Sequence, residues 1–160
     1  MRIAVILDNI RSVHNVGSIF RTADAAGIEK IFCCGITPAP LDRFKHVRPD
    51  FDKVALGAEK SVAWESRKTT TEVIEGLKRD GWKIFAIEQA KNSVPYYNWK
   101  SKMGSTSSCA LVLGTEVDGI SKEILNLADE ILEIPMHGKK ESLNVAVAFG
   151  VVAFAMIHSE

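Results

Sequence analysis

The chain has 160 residues, 20 basic and 20 acidic side chains, and an apolar fraction of 46%. This length suits one domain with a hydrophobic core, and the zero net charge excludes nucleic-acid binding by bulk positive charge, though not by a local basic patch. The apolar runs are too short for a membrane span or a signal peptide, and the three cysteines form no C-x-x-C pair, so we expect reduced thiols and a cytoplasmic protein.

The first third of the chain predicts two strands around a helix. Apolar runs at 3–7 and 30–34 are typical of buried strands. Between them a helix is predicted over 16–26, with Asn15 as its N-cap and Gly27 just beyond its end. Residues 36–58 follow as a long predicted loop that holds most of the clustered basic charge, and loops of this length are often functional.

The middle of the chain predicts a strand over 62–65, an amphipathic helix over 70–80 and a strand over 83–88. Residues 89–107 are polar and are predicted to be irregular. Three aromatic side chains in this stretch could stack a nucleic-acid base, although a packed loop is the interpretation we favour. They are Tyr96, Tyr97 and Trp99.

The last third predicts a strand at 110–113, a short helix at 121–128, a strand at 130–134 and a final helix at 143–157. The final helix is apolar on all sides, whereas a surface helix shows a polar stripe. Its sequence therefore predicts either a homodimer interface or a central core helix, and leaves both open.

The alternation of strands and helices indicates an α/β fold with a mostly parallel sheet flanked by helices. The dinucleotide signature G-x-G-x-x-G and the phosphate loop G-x-x-x-x-G-K-[ST] are both absent from the sequence. An ordinary NAD or ATP enzyme is therefore not supported.

Three polar clusters stand against apolar stretches. They are N-x-G-x-x-x-R at 15–21, L-G-T-E-x-x-G at 113–119, and I-P-M at 134–136 with S-L-N at 142–144. The first lies at the start of a predicted helix and the others follow predicted strands. Because ligands bind at the carboxyl ends of strands in α/β proteins, we expect the three clusters to form one composite site.

Each cluster alone also has a plain structural explanation. Arg21 can hold a phosphate or carboxylate, but an arginine on a helix is usually just solvated. Glu116 or Asp118 could bind a ribose hydroxyl, but acids also favour the start of a helix. Ser142 is well placed as an N-cap. Asn144, at the head of an apolar helix, must find polar partners.

Together, in order and spacing, the clusters resemble the three motifs of the SpoU (TrmH-like) family of RNA 2′-O-ribose methyltransferases, within the SPOUT superfamily. The similarity runs from about residue 3 to the C-terminus. Two positions are less typical: Ala146 stands where serine is frequent, and 139–141 is a charged variant of a variable stretch. Many relatives carry an extra N-terminal RNA-recognition domain; here we expect a single methyltransferase domain over 1–160, with tRNA and rRNA both open as substrates.

The resemblance implies a fold with a C-terminal trefoil knot, an exception to the rule against knots. It also implies S-adenosylmethionine as cofactor and a homodimer with the site near the interface; no metal is expected. The implied cofactor-binding residues are Leu113, Gly114, Ile134, Met136, Ser142 and Leu143. The implied catalytic residue is Arg21, supported by Asn15, Glu116, Ser142 and Asn144.

RNA as the partner requires a positive surface. The candidate side chains are Arg11, Arg21, Arg43, Lys45, Arg48, Lys53, Lys139 and Lys140. Because a guanidinium is effectively always protonated, we interpret Arg21 as a clamp on the adjacent phosphate that also stabilises charge on the attacking oxygen, rather than as a free base. Two alternatives stay open: a non-catalytic RNA-binding protein with the same fold, and a knotted methyltransferase that modifies a base.

Overall fold

The computed structural model describes residues 1–158 of the chain. Within them, seven strands form one sheet in the order β3-β2-β1-β6-β4-β7-β5, and every neighbouring pair is parallel. The strands are β1 Arg2–Asp8, β2 Lys30–Cys34, β3 Ala63–Arg67, β4 Lys83–Ile87, β5 Val94–Pro95, β6 Ser108–Leu113 and β7 Glu130–Glu133. The predicted α/β fold with a mostly parallel sheet is confirmed.

Helices cover both faces of the sheet. They are α1 Val13–Ala25, α2 Pro49–Ala55, α3 Ala58–Ser61, α4 Thr70–Arg79, α5 Lys122–Leu127 and α6 Val145–Ile157, with a 3-10 helix at Tyr96–Lys102. Alternate residues of β1 enter different cores: Val5 packs with α1 and α6 on one face, and Ile6 packs with α4 on the other. Burial on both faces explains the nearly continuous apolar sequence of the central strands.

Two predicted helix starts are wrong by two or three residues. Helix α1 begins at Val13, and its N-cap is Ser12, whose Oγ accepts a hydrogen bond from the Asn15 backbone N–H at 3.2 Å. Serine and asparagine are equally good caps, so the sequence alone could not choose between them. Helix α6 begins at Val145 and is capped by Asn144, so the N-cap role predicted for Ser142 is also wrong.

The predicted loops contain regular structure that the sequence did not reveal. Residues 36–58 include α2, which starts at Pro49 and carries Asp50 and Asp52 in its first turn. Phe51 of α2 is fully buried, with its ring edge-on to Phe20 at 5.1 Å. The stretch 89–107 includes β5 and the 3-10 helix. Elements this short show too few repeats for their periodicity to be read.

Helix α6 has two different sides. Phe149, Val152 and Met156 are buried against the core. On the other side, Val147 is 51% exposed and Phe154 is 37% exposed. The helix is therefore a core helix on one side and leaves an apolar strip uncovered on the other. Nowhere in residues 1–158 is there a helix with both the length and the apolar character needed to span a membrane.

The three cysteines are free and buried. Burial raises the pKa of the Cys33 and Cys109 thiols to about 12 and that of Cys34 to about 11. The thiols therefore stay protonated and pack as small apolar side chains.

Candidate active site

A cleft of about 720 Å³ opens at the carboxyl ends of β4, β6 and β7. Its walls are the loop after β6, the segment between β7 and α6, and the first turns of α6. All six residues predicted to bind a cofactor line it: Leu113, Gly114, Ile134, Met136, Ser142 and Leu143. The second and third sequence clusters thus meet at the edge of the sheet where ligands bind in α/β proteins.

The loop after β6 is a tight turn. Thr115 and Gly119 exchange two backbone hydrogen bonds of 3.1 Å, and the Asp118 N–H donates to Thr115 Oγ1 at 2.9 Å. A Cβ on Gly114 would collide with the backbone of Gly119 and with Ile120 Cγ1. Only glycine fits at position 114, and its backbone is therefore free to lie against a ligand in the cleft.

Two residues after β4 hold the walls of the cleft, Glu88 at the turn after β6 and Gln89 at the segment between β7 and α6. Glu88 Oε2 accepts a hydrogen bond from the Ile120 N–H at 3.0 Å, and Gln89 Nε2 donates to the Glu141 carbonyl at 2.6 Å. Both residues line the cleft. Neither residue belongs to the three sequence clusters, although both are polar and directly follow a strand, which is the signal that identified the other clusters.

At the mouth of the cleft, one side chain from each cluster joins a single hydrogen-bond network. Asn15 Nδ2 donates to Glu116 Oε1 at 3.2 Å, and Asn144 Nδ2 donates to Asn15 Oδ1 at 3.0 Å. Asn144 Oδ1 also caps α6 by accepting from the Ala146 N–H at 2.9 Å. Asn15 is only 9% exposed, so the bonds to both neighbours satisfy an amide that would otherwise be costly to bury.

Glu116 also holds the chain that leads into α1. Its carboxylate accepts from the backbone N–H of Ser12 at 3.1 Å and of Arg11 at 3.3 Å. Partial burial opposes its charge, but the hydrogen bonds from backbone N–H groups and from Asn15 outweigh burial and lower the pKa of Glu116. The ionised carboxylate is therefore the form that ties the first cluster to the second.

Replacing Glu116 with Gln should destabilise the fold at neutral pH but not in acid. Because the folded pKa lies below the ordinary value of 4.5, the stabilisation is present above that value and is lost as the pH falls through the folded pKa. The side chain is largely exposed, so solvent screening limits the effect to about 0.5 kcal/mol. Urea unfolding at pH 7 and pH 3 measures it, with Asp118→Asn in the same loop as control. An equal effect of Glu116→Gln at both pH values would contradict the assignment.

Arg21 lies outside the cleft of its own chain. It is exposed on α1 and lines a separate groove of about 840 Å³ together with His14, Lys53 and Phe154. Arg21 lies six positions after Asn15, which places the two side chains about 120° apart around a helix of 3.6 residues per turn. One chain therefore brings Asn15, Glu116, Ser142 and Asn144 to the cleft, but not Arg21.

Six of the eight basic residues predicted to bind RNA lie in three exposed segments, and the other two, Arg21 and Lys53, lie on α1 and α2 in the groove just described. Arg11 precedes α1; Arg43, Lys45 and the half-buried Arg48 lie in the loop before α2; Lys139 and Lys140 lie between β7 and α6. Arg48 also forms an ion pair with Asp50 at 3.0 Å. Across residues 1–158, the acidic, histidine and cysteine side chains form no group of three or more that could hold a metal ion.

Comparison with known proteins places this geometry in one family. The model of the SpoU rRNA Methylase family matches residues 2–154. The 23S rRNA (guanosine-2′-O-)-methyltransferases RlmB of Bordetella pertussis and of Escherichia coli K12 are each 32% identical over 154 residues, which is 96% of this chain and 58% of each relative. The chain therefore spans somewhat more than half the length of these curated relatives.

Solved structures agree with the family match. The TrmH/SpoU tRNA modifying enzyme of A. aeolicus superposes with a TM-score of 0.81 at 28% identity, over 97% of this chain and 73% of that one. The AdoMet-bound rRNA methyltransferase of Sinorhizobium meliloti superposes with a TM-score of 0.84 at 28% identity, over 96% and 55%. The fold and the arrangement of the sheet are thus shared with both.

Proposed function

The chain belongs to the SpoU rRNA Methylase family, and on that premise we propose that it transfers a methyl group from S-adenosylmethionine to a ribose 2′-hydroxyl of RNA. The observation that carries the proposal is the network Asn15–Glu116–Asn144, which joins the three sequence clusters at the mouth of the cleft. The names of the curated relatives favour ribosomal RNA. The A. aeolicus relative, a tRNA modifying enzyme, makes tRNA the second candidate.

The cleft fits S-adenosylmethionine in size and lining. Its volume of about 720 Å³ lies in the range of small-molecule sites. Leu113, Ile134 and Leu143 supply apolar walls, and Gly114 leaves its backbone free to approach the ligand. When bound, the cofactor supplies an electrophilic methyl group on its sulfonium. The role of this chain is then to hold the ribose oxygen in line with that methyl group and to exclude water.

We propose that Arg21 clamps the phosphate next to the target ribose and stabilises charge on the attacking oxygen. Since Arg21 faces away from its own cleft, it would act at the cleft of the partner subunit in a homodimer. Two features support this arrangement. Phe154, on the uncovered strip of α6, lines the same groove as Arg21, and the strip itself is apolar and exposed at Val147 and Phe154.

The dimer predicts the effect of a charge on that strip. Phe154→Glu should shift the protein from dimer to monomer, because burying a carboxylate in an apolar interface without a partner is costly. Analytical ultracentrifugation measures the change. Ile36→Glu is the matched control, since Ile36 is an apolar residue 60% exposed outside α6. A Phe154→Glu protein that stays dimeric at the same concentrations as Ile36→Glu would rule out this interface.

Other parts of the proposal depend on the family resemblance. The phosphate contacts come from the basic residues named above, so RNA affinity should fall with salt, with a slope of about −0.7 per contact for single strands. A C-terminal trefoil knot is part of the proposal; β6 lies between β1 and β4, and the chain after β7 returns to the cleft at the end of β6. The cytoplasm is the proposed compartment, on the basis of three free thiols.

Calorimetry with S-adenosylmethionine, followed by transfer of a labelled methyl group to total RNA that lacks the modification, tests this function. We expect cofactor binding and label in RNA. Binding without transfer to any RNA would favour the alternative, a non-catalytic RNA-binding protein. The absence of cofactor binding would contradict the proposal.

A further inference from the structure

The loop between β2 and α2 is held in a fixed shape by one carboxylate. Residues 41–47, which we call the Phe44 loop, are closed by an antiparallel bridge between Leu41 and Val47. Asp42 Oδ1 accepts hydrogen bonds from the backbone N–H of Phe44 at 2.8 Å and of His46 at 2.9 Å. These bonds lower the pKa of Asp42, so the carboxylate is ionised when it holds the turn.

This ordered loop presents an aromatic ring to solvent. Phe44 is 64% exposed, although phenylalanine is a large apolar side chain that is usually buried in a core. The Arg43 guanidinium lies 4.7 Å from the centre of the Phe44 ring, and the His46 ring is centred 6.3 Å away. Lys45 at the tip adopts a left-handed backbone, with φ of +65°. The loop thus combines an exposed ring with two flanking cations.

The Phe44 loop leads directly into the groove that contains Arg21. Helix α2 starts at Pro49, one residue after the loop, and its Lys53 lines the groove beside Arg21. At 1.5 Å per residue, the five residues from Arg48 to Lys53 span about 8 Å along the helix. The groove at Lys53 and the base of the loop at Arg48 are therefore joined by one short helix, and an RNA strand that follows α2 out of the groove would meet the loop.

We propose that Phe44 is a stacking platform for one unpaired base of the substrate RNA, close to the methylated nucleotide, and that Arg43 and Lys45 hold the adjoining phosphates. Aromatic rings stack on any base because every base has a π-face, and sequence-specific RNA recognition mostly uses such unstacked bases. The inference rests on the proposed function in that its ligand is RNA. It assigns substrate positioning to a residue that none of the three sequence clusters contains.

The aromatic residues in the stretch 89–107 fit this role less well. Trp99 is buried, Tyr96 packs on the core, and the exposed Tyr97 ring lies edge-on to Tyr96 at 5.4 Å. The packed arrangement favoured from the sequence is therefore the one observed for Tyr96 and Trp99. Tyr97, at 62% exposed, is a matched control for an exposed aromatic ring elsewhere on the surface.

Two RNA probes distinguish the contribution of base stacking to RNA affinity from that of phosphate contacts. The probes are a single-stranded ten-nucleotide oligoadenylate and an abasic ribose-phosphate oligomer of the same length, each titrated by fluorescence anisotropy. Wild-type protein should bind the base-containing probe more tightly. Phe44→Ala should weaken that binding about 5- to 150-fold, the loss that corresponds to removal of one base–aromatic stack, and should leave binding of the abasic probe unchanged. Phe44→Trp and Tyr97→Ala should bind as wild type.

A second variant tests the fixed loop. Asp42→Ala removes both hydrogen bonds to the turn and should lower the affinity for the base-containing probe, as Phe44→Ala does. Asp42→Asn keeps a hydrogen-bond acceptor and should retain most of that affinity. Equal binding of both probes by wild type, or no effect of Phe44→Ala, would overturn the stacking role while leaving methyl transfer intact. Failure of wild type to bind either probe would overturn this inference, and failure to methylate RNA in the separate transfer assay would overturn the proposed function.

Discussion

Replacing Arg21 with Ala is expected to reduce methyl transfer to RNA about 10²- to 10³-fold, the usual loss when one preorganised charge-stabilising donor is removed. Affinity for S-adenosylmethionine should not change, because the proposed partner of Arg21 is the RNA phosphate and none of the residues that line the cleft is altered. Arg21→Lys keeps the charge but loses the planar fork that binds phosphate in a bidentate way, and should recover only part of the rate.

Single-turnover assays with labelled cofactor measure the rate, and calorimetry measures cofactor affinity. Arg79→Ala, which removes an exposed arginine at the end of α4, is the control for a general loss of positive charge. Wild-type turnover by Arg21→Lys would contradict the clamp. Loss of cofactor affinity in Arg21→Ala would instead indicate that the residue contacts the cofactor, in its own cleft or in that of the partner subunit, and would contradict a role limited to the phosphate.

Gly114→Ala is expected to weaken the binding of S-adenosylmethionine. The added methyl group has no room against the backbone of Gly119 and the Ile120 side chain, so the turn after β6 must shift. Overpacking of this kind costs about 1–3 kcal/mol, or about a 5- to 100-fold loss of affinity if the shift acts on the bound state. Gly138→Ala is the matched control, because nothing lies within 4 Å of a Cβ at that position. Unchanged cofactor affinity in Gly114→Ala would remove the turn from the site.

Combining the Arg21→Ala and Gly114→Ala variants in one dimer tests whether the active site is shared between subunits. In a mixed dimer, one subunit carries Arg21→Ala with an intact cleft, and the other carries Gly114→Ala with an intact Arg21. If Arg21 acts at the cleft of its partner, this mixture contains a complete site and is more active than either parent protein, at a cofactor concentration that the intact cleft binds and the Gly114→Ala cleft does not. If Arg21 acts at its own cleft, no complete site forms and the mixture stays inactive.

The sequence predicted well what depends on long apolar patterns. Strand β2 was predicted at its observed bounds, Lys30–Cys34, because a buried parallel strand is continuously apolar. Helix starts were less certain, since Ser12 and Asn15 are both good caps and only the surrounding packing decides between them. The seven-residue α2 and the two-residue β5 are too short to show a period at all.

The candidate site was partly predictable from the spacing of its motifs. Asn15, Glu116 and Asn144 were identified from motif spacing, and the structure joins them by hydrogen bonds. These hydrogen bonds join residues that are more than 100 positions apart in the sequence. Motif spacing could therefore suggest that the three side chains meet, but could not establish the contacts. The position of Arg21 on a different side of α1 from Asn15 follows from helical periodicity. Phe44 lies in the turn that Asp42 holds by two hydrogen bonds. A turn of this kind has no repeating pattern of apolar residues, so its shape could not be predicted from the sequence.

The most direct test of the central claim is to locate the transferred methyl group. RNA lacking the modification is incubated with the protein and labelled S-adenosylmethionine, and the labelled nucleotide is mapped by mass spectrometry and by resistance to alkaline or nuclease cleavage. Our account predicts a single 2′-O-methylated ribose, with the label lost in Arg21→Ala. A methyl group on a base, or label that persists without Arg21, would contradict it.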